Sequence, residues 1–472
     1  MILPNSKTLL YLDSLSNSEK KELGDFISSP FFNKNEQLVL LYAELLPLLS
    51  LPREKIKEEK FYEKISGKKY EEQKFRYLLS NLNLLIEDFF SIKKWTQHTD
   101  LKKQLLIENL HDKKLNKFVQ QHQQLLLSGT EKNLLQDSDF LGVKLQSEEV
   151  SFKFASEYDN RSVDSRLQKL SDSIDTYYLA KKLKYACEMI NRRNVLQVNY
   201  NIHFIEEIKV FLSGSSFLNV PAVSLYYHIL NSLLKPLEEK HYRKLKKGLT
   251  EHRQVFSNNE LRDMFTFAQN YCIRQLNTGK IHYLEELFQN YEFLLEEKII
   301  IADNNLSQFD FKNIVVIALR LHKYGWVKSF ISDYLAYLPA TERKNAEVYN
   351  LSRLYYSSGE IKKALKLMQD VEFTDIYYHL DAKVLLIKIY YDTNAFESLM
   401  PLFTSFNNYL KRNRKVSDYQ QLSYQNFLKI TIRLFNYKMF DKGNINTLKP
   451  EIEEGKNMAD INWLKEKLKE LL

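Results

Sequence analysis

The sequence predicts an all-helical protein: an α-solenoid of helical hairpins with an irregular helical region at its N-terminus. Its clearest unit spans residues 346 to 371, where apolar residues recur at spacings of three and four on both sides of Gly359. The tyrosine pair that begins at Tyr355 recurs at Tyr390, and Gly325, which is predicted to be the turn of the preceding unit, lies 34 residues before Gly359. A period near 34 with two helices per unit is typical of stacked helical repeats.

Composition favours the same fold. The 472 residues include only 11 glycines and 9 prolines, which makes a fold rich in tight turns or phosphate loops difficult to build. Hydrophobic residues make up 44% and charged residues 27%, so the chain can bury a large core. Its length suggests two or three domains, but a solenoid avoids that limit because each unit packs only on its neighbours.

The charge and the cysteine content indicate the cellular compartment and the kinds of partner that we expect for the protein. Lysine and arginine outnumber acidic residues 68 to 60, a net charge of +8 that is spread along the chain. Cys187 and Cys272 lie far apart in apolar helical contexts, which predicts buried free thiols in a reducing compartment. No apolar run is long enough to span a membrane or to form a signal-peptide core. We therefore expect a cytoplasmic protein without a membrane partner.

The N-terminal helical region is predicted to cover residues 1 to 158. Ser16 and Glu19 form the pattern of a capping box. Pro30 should end the helix that follows, and Asn33 or Asn35 can cap the next one.

The segment around Phe31 and Phe32 has two interpretations, a docking motif or a corner between helices whose aromatic rings fill the core. We expect the corner. The surrounding stretch, residues 13 to 50, resembles the opening of a group of uncharacterised bacterial proteins, and this resemblance implies no activity.

Three further regions complete the predicted organisation: irregular hairpins in residues 163 to 310, clearer repeats in 311 to 410, and C-terminal helices with a cap in 411 to 472. The polar residues 159 to 162 mark the first boundary, and Gly248 is one of the breaks that follow it. Gly279 is predicted as the turn of another hairpin. The helix around Trp463 is expected to be a cap with a solvated outer face.

Residues 311 to 410 resemble tetratricopeptide repeats. In the best unit the tyrosine pair, the turn at Gly359, and the small residues Ser352 and Ala364 stand where that family places such residues. Asn394 replaces the turn glycine in the next unit, and asparagine tolerates the left-handed backbone. The resemblance implies a superhelix (TPR-like) in which the first helix of each unit lines a groove that binds a protein or peptide partner.

The groove positions that this resemblance implies are Tyr349, Arg353, Tyr356, Ser357, Val384, Lys388, Tyr391 and Asp392. Tyrosine and arginine are enriched at binding hot spots. The alternative is that the tyrosines pack the superhelix and the cations are solvated.

No motif of catalysis or metal binding is evident. The sequence lacks Cys-x-x-Cys, His-Glu-x-x-His, phosphate-loop and Gly-x-Ser-x-Gly patterns. The closest histidine pairs are eleven residues apart, about three helical turns, which is beyond shared coordination. We predict no catalytic, cofactor-binding or metal-binding residues, and a protein that is not an enzyme.

Two basic clusters offer an alternative function. One spans residues 411 to 415, where cations at a helix C-terminus need no ligand. The other begins at Lys240 and ends at Lys247, and it can serve as a nucleic-acid patch or as a solvated helix face. The first hypothesis is therefore an interaction scaffold with a groove for a protein partner. The second is a nucleic-acid-binding or regulatory protein that uses the basic helix.

Overall fold

The structure is a computed structural model of the 472-residue chain. It describes all residues except 1, 2, 4, 5, 53 to 57, 157 to 164, 197, 370 to 375, 414, 415, 417, 441 to 444 and 456. Within the described residues the chain is helical and contains no strand, and a single bridge joins Ala302 to Asn305. The prediction of an all-α protein is confirmed.

The part of the chain that the structure describes contains 23 α-helices. In chain order they are α1 (Lys7–Asp13), α2 (Asn17–Ser28), α3 (Glu36–Leu45), α4 (Glu58–Ser66), α5 (Glu72–Gln97), α6 (Thr99–Asp112), α7 (Asn116–Lys132), α8 (Ser138–Ser156), α9 (Ser165–Leu196), α10 (Ile205–Leu212), α11 (Pro221–Leu234), α12 (Glu239–Glu251), α13 (Asn258–Asn277), α14 (Tyr283–Glu296), α15 (Gln308–Arg320), α16 (Tyr324–Tyr334), α17 (Ala340–Ser357), α18 (Ile361–Gln369), α19 (Ile376–Asp392), α20 (Phe396–Arg412), α21 (Asp418–Phe440), α22 (Ile445–Glu454) and α23 (Ile461–Leu471).

The chain divides into two compact units, Met1–Lys182 and Leu183–Leu472, and the division falls within α9. The predicted boundary at residues 159 to 162 lies outside the described residues. The division of the chain into four regions stays a prediction.

In the first unit, α5 packs against α1, α2 and α3, and the core contains Leu23, Phe75 and Ile86. Ser16 and Glu19 form the predicted capping box at the start of α2, since each side chain bonds the other residue's backbone N–H. The prediction that Pro30 follows the end of a helix is also confirmed, because α2 ends at Ser28. The side chain of Asn35 caps α3.

The prediction that Phe31 and Phe32 fill the core is wrong. Phe31 is 86% exposed and Phe32 is 40% exposed. Phe32 instead stacks on Phe26 at a ring distance of 4.2 Å. The inner position of the corner belongs to Asn33, whose side-chain amide donates to the carbonyl groups of Ile27 and of Asn35. These two hydrogen bonds hold the side chain of Asn33 on the inner side of the corner, so Phe31 and Phe32 lie on its outer side.

The second unit contains successive helical hairpins, of which α13/α14, α17/α18 and α19/α20 have extensive contacts. The first helices of neighbouring hairpins are also in contact: α11 packs against α13, α15 packs against α17, and α17 packs against α19. Three predicted turn residues have the left-handed backbone that such turns require: Gly279 at φ 90°, Gly359 at φ 83° and Asn394 at φ 57°.

Gly325 is not a turn residue, contrary to the prediction. It lies inside α16, and the left-handed residue between α15 and α16 is His322, with φ 57°. Gly248 is also inside a helix, α12, and is not a break.

The C-terminal helices complete the second unit. α21 packs on α20, and α23 packs on α21 and α22. Trp463 and Leu464 of α23 are buried in one core with Phe406 and Phe427. The opposite face of α23 is exposed and charged, as the sequence predicts, while the role of α23 as a cap stays a prediction.

Both cysteines are buried free thiols, as predicted. None of the helices in the described part of the chain is long and apolar enough to cross a membrane.

Candidate functional site

A cavity of about 420 Å³ lies in the second unit. Its walls come from α15, α17, α19 and α21 and from the two residues that precede α23. The lining residues are Val316, Tyr349, Arg353, Asp381, Val384, Leu385, Lys388, Tyr419, Gln420, Ser423, Tyr424, Ala459 and Asp460. We call this space the central cavity. Four predicted groove residues line it: Tyr349, Arg353, Val384 and Lys388.

Arg353 and Tyr349 lie one turn apart on α17, so their side chains share a face of the helix. The guanidinium of Arg353 donates from Nη1 to the Tyr349 hydroxyl at 3.0 Å. Burial raises the pKa of Tyr349, which keeps this phenol neutral. Among the described residues Arg353 makes no other hydrogen bond, and no carboxylate lies within ion-pair distance of it.

Lys388 forms the second cationic element of the central cavity. Its ammonium group lies 2.6 Å from a carboxylate oxygen of Asp460 and above the rings of Tyr356 and Trp463, at 5.5 and 5.6 Å. Burial lowers the pKa of Lys388, while Asp460 opposes that shift. For Asp460, burial alone would raise the pKa, but the positive charges of Lys388, Arg353 and Arg320 together outweigh burial and the pKa is lowered. The two groups form an ion pair at the edge of the cavity.

Asp381 lies about two turns before Lys388 on the same face of α19 and also lines the cavity. One oxygen lies 2.6 Å from the ammonium of Lys312, and the other accepts a hydrogen bond from the Tyr424 hydroxyl at 3.4 Å. Each of the two carboxylates that line the cavity therefore forms an ion pair with a lysine. The guanidinium of Arg353, in contrast, hydrogen-bonds to the neutral hydroxyl of Tyr349.

The C-terminal helix covers three other predicted groove residues. The Tyr356 hydroxyl accepts from the indole Nε1 of Trp463 at 3.1 Å and donates to Asp392 at 2.5 Å. Asp392 also pairs with Lys467 at 3.0 Å. The buried ring of Tyr391 meets that of Trp463 edge to face at 5.2 Å. Through Tyr356, Tyr391 and Asp392, α23 is thus attached to α17 and α19.

Ser357 is exposed at the end of α17 and does not line the central cavity. Its backbone carbonyl accepts a hydrogen bond from the hydroxyl of Tyr324 at 2.8 Å. The structure therefore divides the predicted groove into the residues of the cavity, the residues beneath α23, and this exposed serine.

Sequence reasoning missed Asp381, Tyr419, Tyr424 and Asp460. For Asp381 a signal existed, because it precedes Lys388 by seven residues and so lies on the same face of α19. The other three come from segments far along the chain, and no helical spacing relates them to α17 or α19.

The basic helix α12 is largely paired with acidic residues. The four pairs are Lys240 with Glu238 at 2.9 Å, Arg243 with Glu239 at 3.1 Å, Lys246 with Glu286 at 2.5 Å, and Lys247 with Glu251 at 3.4 Å. These carboxylates reduce the positive charge that α12 can offer to phosphate groups. In the other basic cluster, residues 414 and 415 lie outside the described residues.

Within the described residues no group of three or more histidine, cysteine, aspartate or glutamate side chains is placed to hold a metal ion. Comparison of the chain with models of protein families, with curated proteins and with solved structures found no match. The chemistry of the central cavity therefore rests on its own residues: a guanidinium, two lysine–carboxylate pairs, phenols and an aliphatic wall.

Proposed function

We propose that this chain is a cytoplasmic interaction scaffold that binds a peptide or protein partner and carries out no catalytic step. In this proposal the hairpins of the second unit form an α-solenoid that resembles a tetratricopeptide superhelix. The contacts between first helices of neighbouring hairpins and the left-handed turns at Gly359 and Asn394 support it. The partner would lie along α17, α19 and α21.

The observation that carries the proposal is the central cavity. It combines the charged side chains of Arg353 and Lys388 with an aliphatic wall at Val384 and Leu385. Its volume of about 420 Å³ lies in the range of ligand-binding pockets, so a part of the partner can enter it. Tyr419 lines the same cavity and is 64% exposed, so its ring can meet a partner at the surface. Tyrosine and arginine in such a setting are frequent hot-spot residues.

The alternative function, nucleic-acid binding by the helix that contains Lys240 and Lys247, has weaker support. Four cations of that helix already have carboxylate partners. If this alternative applied, binding would weaken steeply between low and moderate salt.

The test is affinity capture of the tagged protein from its native lysate, with and without nuclease, followed by mass spectrometry. The variant Tyr419→Ala removes an exposed ring and should leave the fold intact. Its matched control is Tyr77→Ala, which removes a ring of similar exposure, 67%, from the first unit.

We expect a small set of protein partners that resists nuclease, is lost with Tyr419→Ala, and persists with Tyr77→Ala. Partners that are insensitive to Tyr419→Ala would contradict the proposed site. A set that disappears with nuclease would favour the basic helix.

A further inference from the structure

The guanidinium of Arg353 is the group of the central cavity with the most hydrogen-bonding capacity left to use. Arginine carries five N–H donors in a planar fork. In the described part of the chain, Arg353 donates one of them, to the neutral Tyr349 hydroxyl, and the side chain lines the cavity. The remaining donors can bind a ligand that enters the cavity.

The charges around the cavity leave an excess that an anion can balance. Two cations, Arg353 and Lys388, and two carboxylates, Asp381 and Asp460, line the cavity. A third cation, Lys312, pairs with Asp381. Each carboxylate is in direct contact with a lysine, so the charge without a contacting counter-charge is that of Arg353. A partly buried cation in this position gains from an anionic ligand that hydrogen-bonds to it.

The same surroundings favour a carboxylate over a phosphate. A carboxylate carries one negative charge and accepts two parallel N–H bonds from a guanidinium. A phosphate monoester carries about −1.5 to −2 at neutral pH. Asp381 and Asp460 act electrostatically on Arg353 from within the cavity walls, and they would repel a dianion more strongly than a monoanion.

The rest of the cavity fits an apolar stem. Val316, Val384 and Leu385 line it beside the rings of Tyr419 and Tyr424. Its volume of about 420 Å³ greatly exceeds that of a carboxylate group and lies in the range of sites for small organic molecules. The ligand group is therefore larger than an isolated anion, with an aliphatic or aromatic part.

We propose that the central cavity binds a carboxylate carried on an apolar stem, with the carboxylate on the guanidinium of Arg353 and the stem against Val384 and Leu385. This inference rests on the proposed function insofar as the carboxylate belongs to a peptide partner. The same chemistry can also come from a free organic acid, and the experiment separates the two sources.

The experiment measures binding to the full-length protein by ligand-observed NMR with probes at millimolar concentration. The first pair is 4-phenylbutyrate and 4-phenylbutanamide, which differ only in the anionic group. The second pair is a leucine-ending pentapeptide with a free C-terminal carboxylate and the same peptide with a C-terminal amide. Inorganic phosphate is the fifth probe.

The variant Arg353→Gln removes the charge and keeps a shorter polar side chain, and Arg353→Lys keeps the charge without the planar fork. The control is Arg76→Gln, because Arg76 is exposed, lies in the first unit, and pairs only with Glu72 among the described residues. Circular dichroism establishes that each variant is folded.

We expect at least one acid to bind at least ten-fold more tightly than its amide. Arg353→Gln should abolish that preference, Arg353→Lys should restore it in part, and Arg76→Gln should leave it unchanged. Preference for the pentapeptide acid identifies a peptide source, and preference for 4-phenylbutyrate identifies a free acid. Equal binding of acids and amides, binding of phosphate in their place, or a preference that survives in folded Arg353→Gln overturns the inference.

The outcome is separable from that of the proposed function. If capture depends on Tyr419 but no probe shows a carboxylate preference, the interaction scaffold stands and this inference fails. If the acids bind through Arg353 and no protein partner depends on Tyr419, the cavity is a carboxylate site and the scaffold proposal fails.

Discussion

The indole Nε1 of Trp463 donates a hydrogen bond to the hydroxyl of Tyr356 over 3.1 Å. The two residues lie 107 positions apart in the chain. The bond joins the C-terminal helix α23 to α17, which begins at Ala340 and ends at Ser357. Tyr356, which the sequence predicts to face a partner, thus holds α23 against α17.

Replacing Tyr356 by phenylalanine should therefore destabilise the second unit. The substitution leaves the buried N–H of Trp463 without its acceptor and removes one of the two donors to Asp392, since Lys467 remains, which we expect to cost about 1 to 3 kcal/mol. Urea unfolding followed by tryptophan fluorescence measures the loss. The control is Tyr355→Phe, on the neighbouring residue, whose hydroxyl makes no hydrogen bond within the described residues. Equal midpoints for the two variants would refute this role of Tyr356.

The ion pair of Lys388 and Asp460 gives a second prediction. Asp460→Asn leaves the buried ammonium of Lys388 without its carboxylate, at an expected cost of about 1 to 3 kcal/mol, because one partner is buried and the other is partly exposed. Adding Lys388→Met should recover much of that loss. A double-mutant cycle of unfolding free energies tests this, and strictly additive effects would show that the two groups do not interact.

The two misassigned glycines give opposite predictions. At Gly248 an added Cβ would lie 2.5 Å from Cδ2 of the buried Leu225, so Gly248→Ala should destabilise by about 1 kcal/mol after the gain in helix propensity. At Gly325 nothing lies within 4 Å of a Cβ and φ is not left-handed. Gly325→Ala should therefore be neutral or stabilising by up to about 1 kcal/mol. If thermal unfolding showed that Gly325→Ala destabilises strongly, Gly325 would be the turn residue after all.

Acid should weaken the contact between α11 and α12. The Nδ1 atoms of His228 and His241 lie 3.0 Å apart, near Lys240 and Lys244. Burial, followed by the neighbouring charges, lowers the pKa of His228 from 6.5 to about 4, and burial also lowers that of His241. The unfolded chain thus takes up protons first as the pH falls.

Stability should be retained above pH 6.5 and decline between 6.5 and about 4, by up to about 3 kcal/mol for His228. Unfolding free energies at a series of pH values should show a shallower decline for His228→Gln than for the natural sequence. The exposed His203, changed to glutamine, is the control. An unchanged slope in His228→Gln would rule out this source of acid sensitivity.

Local physics made much of the helical architecture predictable. The capping box of Ser16 and Glu19 and the left-handed turns at Gly359 and Asn394 depend on neighbours within a few residues, so the sequence displays them directly. The sequence predicts a turn at Gly325 because a glycine near the start of a helix cannot be distinguished from a turn glycine when the backbone angle is unknown.

The candidate site was only partly predictable, because its composition depends on contacts distant in sequence. Arg353 and Lys388 are separated by the same offset that separates Tyr355 from Tyr390, and this offset is visible in the sequence. Tyr419 reaches the central cavity from α21 and Asp460 from the segment before α23, and Trp463 packs against Tyr356 and Tyr391. Helical spacing carries no information about which distant helix will cover a groove.

Site-specific photo-crosslinking tests the interaction scaffold most directly. Benzoylphenylalanine is placed at position 419, at the exposed edge of the central cavity, and at position 77 as the matched control, and the protein is irradiated in its native lysate. We predict a discrete crosslinked protein from position 419 that is absent from position 77 and is lost when Arg353→Glu is added to a folded protein. No crosslink at 419, or the same products from both positions, would contradict a partner-binding role for this cavity.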